Sequence, residues 1–369
     1  MALPAPPGDD GPGALRRFVL PMIFVAALFV ALFMRRPDGD ANNEAWTFSG
    51  PTMGTTYNVK VLPGDAGGDR EAAEAAIQAA LANVNARMST YQADSELSRF
   101  NANPSTDPVP ISAELATVTA EALRVGALSG GAFDVTVGPL VNAWGFGPNS
   151  RGEPPSEEKL AELKAIVGAD KLTLDPKAPS LTKAHPGVYV DLSAIAKGYG
   201  VDQVARALDS LGHKDYMVEV GGEVRARGES PRGGAWRIGI EKPDENARAI
   251  HEVVMLADTS LATSGNYRNF YEDERGQRVS HTINPVTGRP VTHRLASVSV
   301  LHKDCMTADG LATALNVLGE EAGYELALKQ ELTALFIIKD PTGRFIEKAT
   351  PAFEALRPDK KDAGATSAP

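Results

Sequence analysis

The chain has 369 residues, of which 43% are hydrophobic and 23% charged, enough for one large or two medium domains with a sizeable core. Its net charge is −10 and no Lys/Arg run is dense enough to track a phosphate backbone, which argues against a nucleic-acid-binding protein. The single cysteine, Cys305, excludes an intrachain disulfide and a cysteine-based zinc site.

Residues 1–17 are rich in Pro and Gly, a composition that predicts a disordered N-terminus. Residues 18–34, FVLPMIFVAALFVALFM, are uninterrupted apolar sequence between Arg16-Arg17 and Arg35-Arg36. The run is at the short end of what spans a bilayer, where about 20 residues is typical. A cleaved signal peptide has the same layout. No small-x-small cleavage site follows, so an uncleaved anchor helix is expected. Equal Arg flanks leave its orientation open, and no cysteine follows it for lipid attachment. Residues 35–44 read as a linker, 45–350 as the folded domain, and 351–369 as a disordered polar tail.

Within the domain, Tyr57, Val59 and Val61 alternate with polar residues and predict a strand over 53–62. Asp69 is placed to cap an Ala-rich helix running to Met88. A short helix is expected over 95–101, and another from Ser112 to the stop at Gly130-Gly131. A small helix over 156–167 is closed by Gly168. Short strands are expected at 172–174, 180–183 and 188–192, then an amphipathic helix over 197–211 closed by Gly212. From Tyr216 strands dominate, at 216–220, 224–226, 236–241, 251–256, 279–283 and 297–301. A helix holding Asp309 follows, then a second over 320–329. Residues 333–338 and 344–347 read as a closing hairpin around the turn 340–343. There is no clean sequence repeat. Strands mostly follow strands and helices come in groups, so the fold class is α+β rather than a doubly wound sheet.

Several segments could carry chemistry. In the Ala/Leu-rich stretch around ADGLAT, Asp309 and Thr313 stand four apart on one helix face. A carboxylate above a hydroxyl makes an all-oxygen ledge suited to a hard cation such as magnesium, although taken alone the pair also fits a solvated helix face. In GGAFDVTVGPL the Gly pair would let backbone approach a ligand, and Asp134 could bond a ring or ribose; a helix C-cap and turn fit equally. DLSAIAKGYG ends a strand and opens a helix, where backbone N–H groups and Lys197 favour a phosphate. The glycines do not precede the lysine as in a Walker motif. EVGGEV reads as a bulge in a strand. TSGNYRNF and HTINPVTGRP are polar and turn-rich. His281 is a candidate proton acceptor or a structurally bonded surface residue.

Taken in order, MGTTYNVKV, MSTYQADSELSRFN, GGAFDVTVGPLVNAWGFG, DLSAIAKGYGVD, EVGGEV, ATSGNYRNF, HTINPVTGRP and ADGLATAL resemble the ApbE family of FAD:protein FMN transferases. The resemblance runs from about residue 46 to 347. It implies a T-fold-like α+β domain of two related sheet-and-helix halves, behind the N-terminal anchor. It implies an enzyme that splits FAD at its pyrophosphate, joins FMN by a phosphoester to a Thr or Ser hydroxyl of a target protein, and releases AMP with the help of Mg2+. Carried onto this chain, Asp309, Thr313 and the main-chain carbonyl of Ala194 correspond to metal ligands. Met53, Tyr91, Ala132, Phe133, Asp134, Asp191, Lys197 and Ile283 fall where the family holds FAD. His281 falls where a base for the incoming hydroxyl has been proposed, and with Asp309 it makes the catalytic pair.

The resemblance further implies flavin-acceptor subunits of membrane redox complexes as partners. It places the catalytic domain on the periplasmic side of a bacterial inner membrane, with the apolar run in place of the lipidated cysteine many members carry. Gly310 stands where the family usually has Ala, a departure that loosens the helix by about 1 kcal/mol at most. Two other readings use the same residues. An FAD pyrophosphatase would let water replace the acceptor hydroxyl. A flavin carrier would bind FAD without turnover, and would have no need for Asp309 and Thr313 on one face.

Overall fold

The computed structural model describes residues 44–64, 68–146, 154–244, 249–266, 270–272 and 278–357. The expected N-terminal segment, anchor run and most of the linker lie outside the described residues, as does the tail from 358. Among the described residues no helix is long and apolar enough to cross a membrane.

The strands are β1 (Trp46–Thr52), β2 (Thr55–Val61), β3 (Val109–Pro110), β4 (Leu172–Asp175), β5 (Ser180–Lys183), β6 (Tyr216–Val220), β7 (Glu223–Arg227), β8 (Trp236–Glu241), β9 (Ile250–Leu256), β10 (Thr259–Gly265), β11 (Phe270–Glu272), β12 (Arg278–Ser280), β13 (Ile283–Asn284), β14 (Arg289–Pro290), β15 (Leu295–His302), β16 (Thr333–Lys339) and β17 (Phe345–Ala349). The helices are α1 (Arg70–Met88), α2 (Glu96–Ala102), α3 (Ala113–Leu128), α4 (Gly138–Ala143), α5 (Glu157–Ile166), α6 (Ala196–Ser210), α7 (Cys305–Lys329) and a last turn, α8 (Pro351–Glu354).

The main sheet is antiparallel, in the order β1-β2-β6-β7-β10-β15-β16-β17. One strand pair, helices and a second strand pair build each half. The first is β1-β2, α1 and α6, β6-β7; the second is β10 and β15, the kinked α7, β16-β17. Inward residues of each half, such as Val59, Tyr216 and Val218 or Val298, Val300 and Phe336, are buried under their helices. The outer face of the sheet is covered by the hairpin β8-β9 and by Phe353 of α8.

The halves meet over only three residue pairs, Thr259–Leu261 of β10 against Val224–Ala226 of β7. Past Leu261, β10 continues to Gly265 while β7 ends at Glu223. This divergence opens a gap at the seam, and the cleft described below sits there.

Local chemistry sets the element ends. Asp69, Ser95, Ser112 and Ser156 each accept a main-chain N–H from the first helical turn they precede, as N-cap side chains do. Within α7, Gly319 adopts φ +82°, which splits it into the two helices expected from the sequence.

Some expectations need correction. EVGGEV is not a bulge: Gly221 and Gly222, with φ +57° and +99°, form the two-residue turn between β6 and β7. Residues 188–192 form no strand; the N–H and carbonyl of Val190 are bonded by the side chain of Asn101, at 2.8 and 2.7 Å, in place of a partner strand. The strand expected over 53–62 is β2 of a hairpin whose turn holds Met53 and Gly54, at φ +49° and +71°. The expected strand over 279–283 is broken, with Ser280 ending β12 and Ile283 beginning β13. The fold also runs beyond residue 350, because Phe353 is fully buried and Arg357 pairs with Glu252 and Glu347.

Candidate active site

A cleft of about 450 Å³ opens at the seam between the halves. Its walls include Tyr91, Ala132, Phe133, Asp134, Asp191, Ala194, Lys197, His281, Ile283 and Thr313, which come from five separate sequence motifs. Met53 lies in a neighbouring cavity of about 820 Å³, which shares Tyr91, Ser193 and Lys197 with the first. Asp309 lies beneath the cleft, 4% exposed.

Three charged groups meet at its base. The Lys197 ammonium is 2.9 Å from Glu223 Oε2 and 3.4 Å from Asp309 Oδ1. The N–H of Gly198 donates to Asp309 Oδ2 at 2.9 Å. Burial works against the charge on Lys197, but the carboxylates of Asp309 and Glu223 outweigh it and hold the ammonium above its ordinary value. Glu223 is pushed up by burial, with Asp309 adding to the effect and Lys197 opposing it. Lys197 therefore stays protonated beside Asp309, while Glu223 is held toward its neutral acid form.

Glycine makes this closeness possible. A Cβ on Gly198 would sit 2.4 Å from the Cys305 carbonyl oxygen and 2.9 Å from Asp309 Cβ. A Cβ on Gly221 would press on Thr55 at 2.7 Å and on Lys197 Cδ at 3.1 Å. Asp202 of α6 is the other tie between the helices. It is buried, pairs with Arg225 at 2.8 Å and accepts the N–H groups of Cys305 and Met306 at 3.1 and 3.0 Å. It thus caps α7, whose own Asp304 makes no side-chain cap bond.

The remaining residues divide by environment. Asp134 accepts from Thr136 N–H at 2.8 Å and Asp191 from Ser193 N–H at 2.9 Å, so each spends one oxygen on a local turn at the cleft edge. Phe133 and Ile283 are buried, their side chains belonging to packed cores. Tyr91 is 71% exposed at the rim and available to a flat ring. His281 faces Phe146 edge-on, with ring centroids 6.3 Å apart. Glu223 was missed by sequence reading. A Gly-Gly pair between two strand-like runs is a hairpin signal, and would have placed Glu223 at the strand start beside that turn.

The sequence profile of the ApbE family matches residues 53–336. The chain belongs to the ApbE family. Over 321 residues it is 50% identical to the FAD:protein FMN transferase of Haemophilus influenzae, taking in 85% of this chain and 92% of that protein. It is 38% identical over 323 residues to that of Escherichia coli K12, taking in 86% and 92%. Among solved structures, the flavin transferase ApbE from Vibrio cholerae superposes with a TM-score of 0.79 at 47% identity, covering 85% of this chain and all of that one.

The ApbE-family site suits a hard divalent cation by its donor chemistry. Asp309, Thr313 and the carbonyl of Ala194 are all oxygen donors. Among the described residues no group of three or more His, Cys, Asp or Glu side chains is arranged to hold a metal. A cation at Asp309 would therefore complete its shell with water or substrate phosphate, as magnesium commonly does.

Proposed function

We propose that this chain transfers the FMN half of FAD to a Thr or Ser hydroxyl of a target protein and releases AMP. The observation that carries the reading is the buried cluster of Lys197, Asp309 and the Gly198 N–H beneath a cleft at the start of α6. A helix start with a protonated lysine beside it is suited to a diphosphate. The chain's relatives are FAD:protein FMN transferases.

In the reaction, the acceptor hydroxyl oxygen forms a bond to the phosphorus on the FMN side. The bond from that phosphorus to the bridging oxygen breaks, and AMP leaves with the bridging oxygen and its electron pair. His281 takes the hydroxyl proton. Lys197 offsets charge on the diphosphate, and Tyr91, Asp134 and Asp191 hold the two ends of the dinucleotide at the rim. Asp309, Thr313 and the Ala194 carbonyl would hold a magnesium ion, which when bound would supply charge neutralisation for the phosphoryl group. The nucleophile arrives with the partner, so the site needs positioning and a proton acceptor more than an activated nucleophile of its own.

The apolar run 18–34 supports attachment to a bacterial inner membrane, and the family resemblance is what assigns this domain to the periplasmic side. Exported or membrane-bound redox subunits are then the acceptors. The test is to incubate the protein with FAD, magnesium and such subunits from the same cell. Flavin fluorescence on the acceptor band in a denaturing gel supports transfer. FMN released without acceptor supports a pyrophosphatase, and intact FAD a carrier.

A further inference from the structure

Asp309, Thr313 and Asn316 are spaced i, i+4 and i+7 on α7 and share one stripe of the helix. Asn316 is fully buried, and it is not part of the cleft wall. Its Nδ2 donates to Ser264 Oγ at 2.9 Å, and its Oδ1 accepts from Asn266 Nδ2 at 3.0 Å. Asn266 Oδ1 in turn accepts the Thr282 hydroxyl at 2.7 Å. Thr282 follows His281 in the chain, and both line the cleft.

The bonds thus lead from the helix that carries Asp309, across the end of β10, to the segment that carries His281. Residues 281 and 282 lie in no strand, falling between β12 and β13. The Thr282 main chain is bonded to Ser280 and Val291 within its own lobe, at 3.1 and 3.0 Å. Its hydroxyl reaches across to the helix side of the cleft. Each amide oxygen in the network faces a donor, and a satisfied polar network of this kind is rigid.

We infer that Asn316 is a positioning residue for the transfer reaction, setting through Asn266 and Thr282 where His281 stands relative to Asp309 and Thr313. The inference rests on the flavin-transfer reading of the cleft. An amide is required here because one side chain must both donate to Ser264 and accept from Asn266. Leucine, of similar volume, would fill the space and leave both without that partner. The three-way geometry matters because the incoming hydroxyl must be deprotonated at the position where the phosphoryl group is held. An error of an ångström there lowers turnover while leaving FAD bound.

The test uses the full chain with FAD, magnesium and detergent-solubilised membranes of the source cells as acceptor, with AMP release as the rate. FAD affinity is read separately from quenching of flavin fluorescence, and folding from the thermal midpoint. Asn316→Leu and Thr282→Val are expected to release AMP roughly 10-fold more slowly at saturating FAD, with KM and FAD affinity changed less than about 3-fold. Thr282→Val removes only the hydroxyl and should melt close to the unaltered protein. Thr282→Ser, which keeps it, should restore the rate. Unimpaired turnover in Thr282→Val would overturn the inference, as would equal losses of turnover and FAD affinity, or a Thr282→Ser as slow as Thr282→Val. An unaltered protein that releases no AMP would overturn the flavin-transfer reading itself, and this inference with it.

Discussion

The main-chain N–H of Gly198 donates to Oδ2 of Asp309 at 2.9 Å, joining α6 to α7 at the point where the charged cluster forms. The contact is short because residue 198 has no side chain. Cys305, at the start of α7, already occupies the space where a Cβ would go.

Gly198→Ala is therefore expected to push the two helices apart. Overpacking against backbone costs about 1–3 kcal/mol, and the carboxylate of Asp309 would move with its helix. Urea unfolding should show a lower midpoint, and flavin transfer should fall further than the stability loss accounts for. A variant that is as stable and as active as the unaltered chain would mean that this crossing is looser than described.

Asp202 holds the same crossing by a different device, capping α7 from α6 and pairing with Arg225. Asp202→Asn loses the charge that faces the helix start and Arg225, at a cost of about 2 kcal/mol for charge-assisted bonds, moderated because Arg225 is a quarter exposed. Chemical denaturation of the variant measures it. Activity should fall in step with the displacement of α7.

His213 is 7% exposed and lies edge-on to Trp46, with ring centroids 5.7 Å apart. Burial holds its imidazole below the ordinary histidine value. The unfolded chain therefore binds a proton on this residue at a higher pH than the folded one. Its contribution to stability is complete above about pH 6.5 and is lost as the pH falls toward the folded-state value. His293, also lowered chiefly by burial, acts with the same sign. Thermal midpoints between pH 7 and 5 should fall less steeply in His213→Gln than in the unaltered protein.

Phe353 fixes the end of the fold. It is fully buried against the outer face of the sheet, and Thr350 caps its helical turn. Phe353→Ala should cost about 3–5 kcal/mol, and truncation after residue 350 should cost at least as much.

How much of this was legible in the sequence depended on whether a local pattern or a distant partner decided the structure. Helix caps such as Asp69 and Ser112 are local, and so is the closing turn, where Asp340 accepts the N–H groups of Thr342 and Arg344. Strand β10, TSLATSG, was missed because its Ser, Ala and Gly residues have little strand propensity and it shows no apolar alternation. Ser260 and Ala262 are nevertheless buried, since β10 lies mid-sheet. Residues 188–192 carry a strand pattern, but Asn101 takes the place a strand would need. Within the cleft, Asp309 and Thr313 were readable from helix spacing, Lys197 from a helix start, and Asp134 and His281 as candidates in turn-rich segments; the remaining candidate residues came from the family resemblance. Glu223 escaped because its partners, Lys197 and Asp309, are brought to it only by the fold.

The proposed transfer depends on Asp309 holding a cation against the diphosphate of FAD. The most direct measurement compares Asp309→Ala with the unaltered chain, with FAD, acceptor subunits and magnesium, reading flavin on the acceptor band and FAD binding in parallel. The expected result is labelled acceptor with the unaltered chain, none when magnesium is chelated, and none with Asp309→Ala although FAD still binds. Acceptor labelled at the ordinary rate by Asp309→Ala would contradict it.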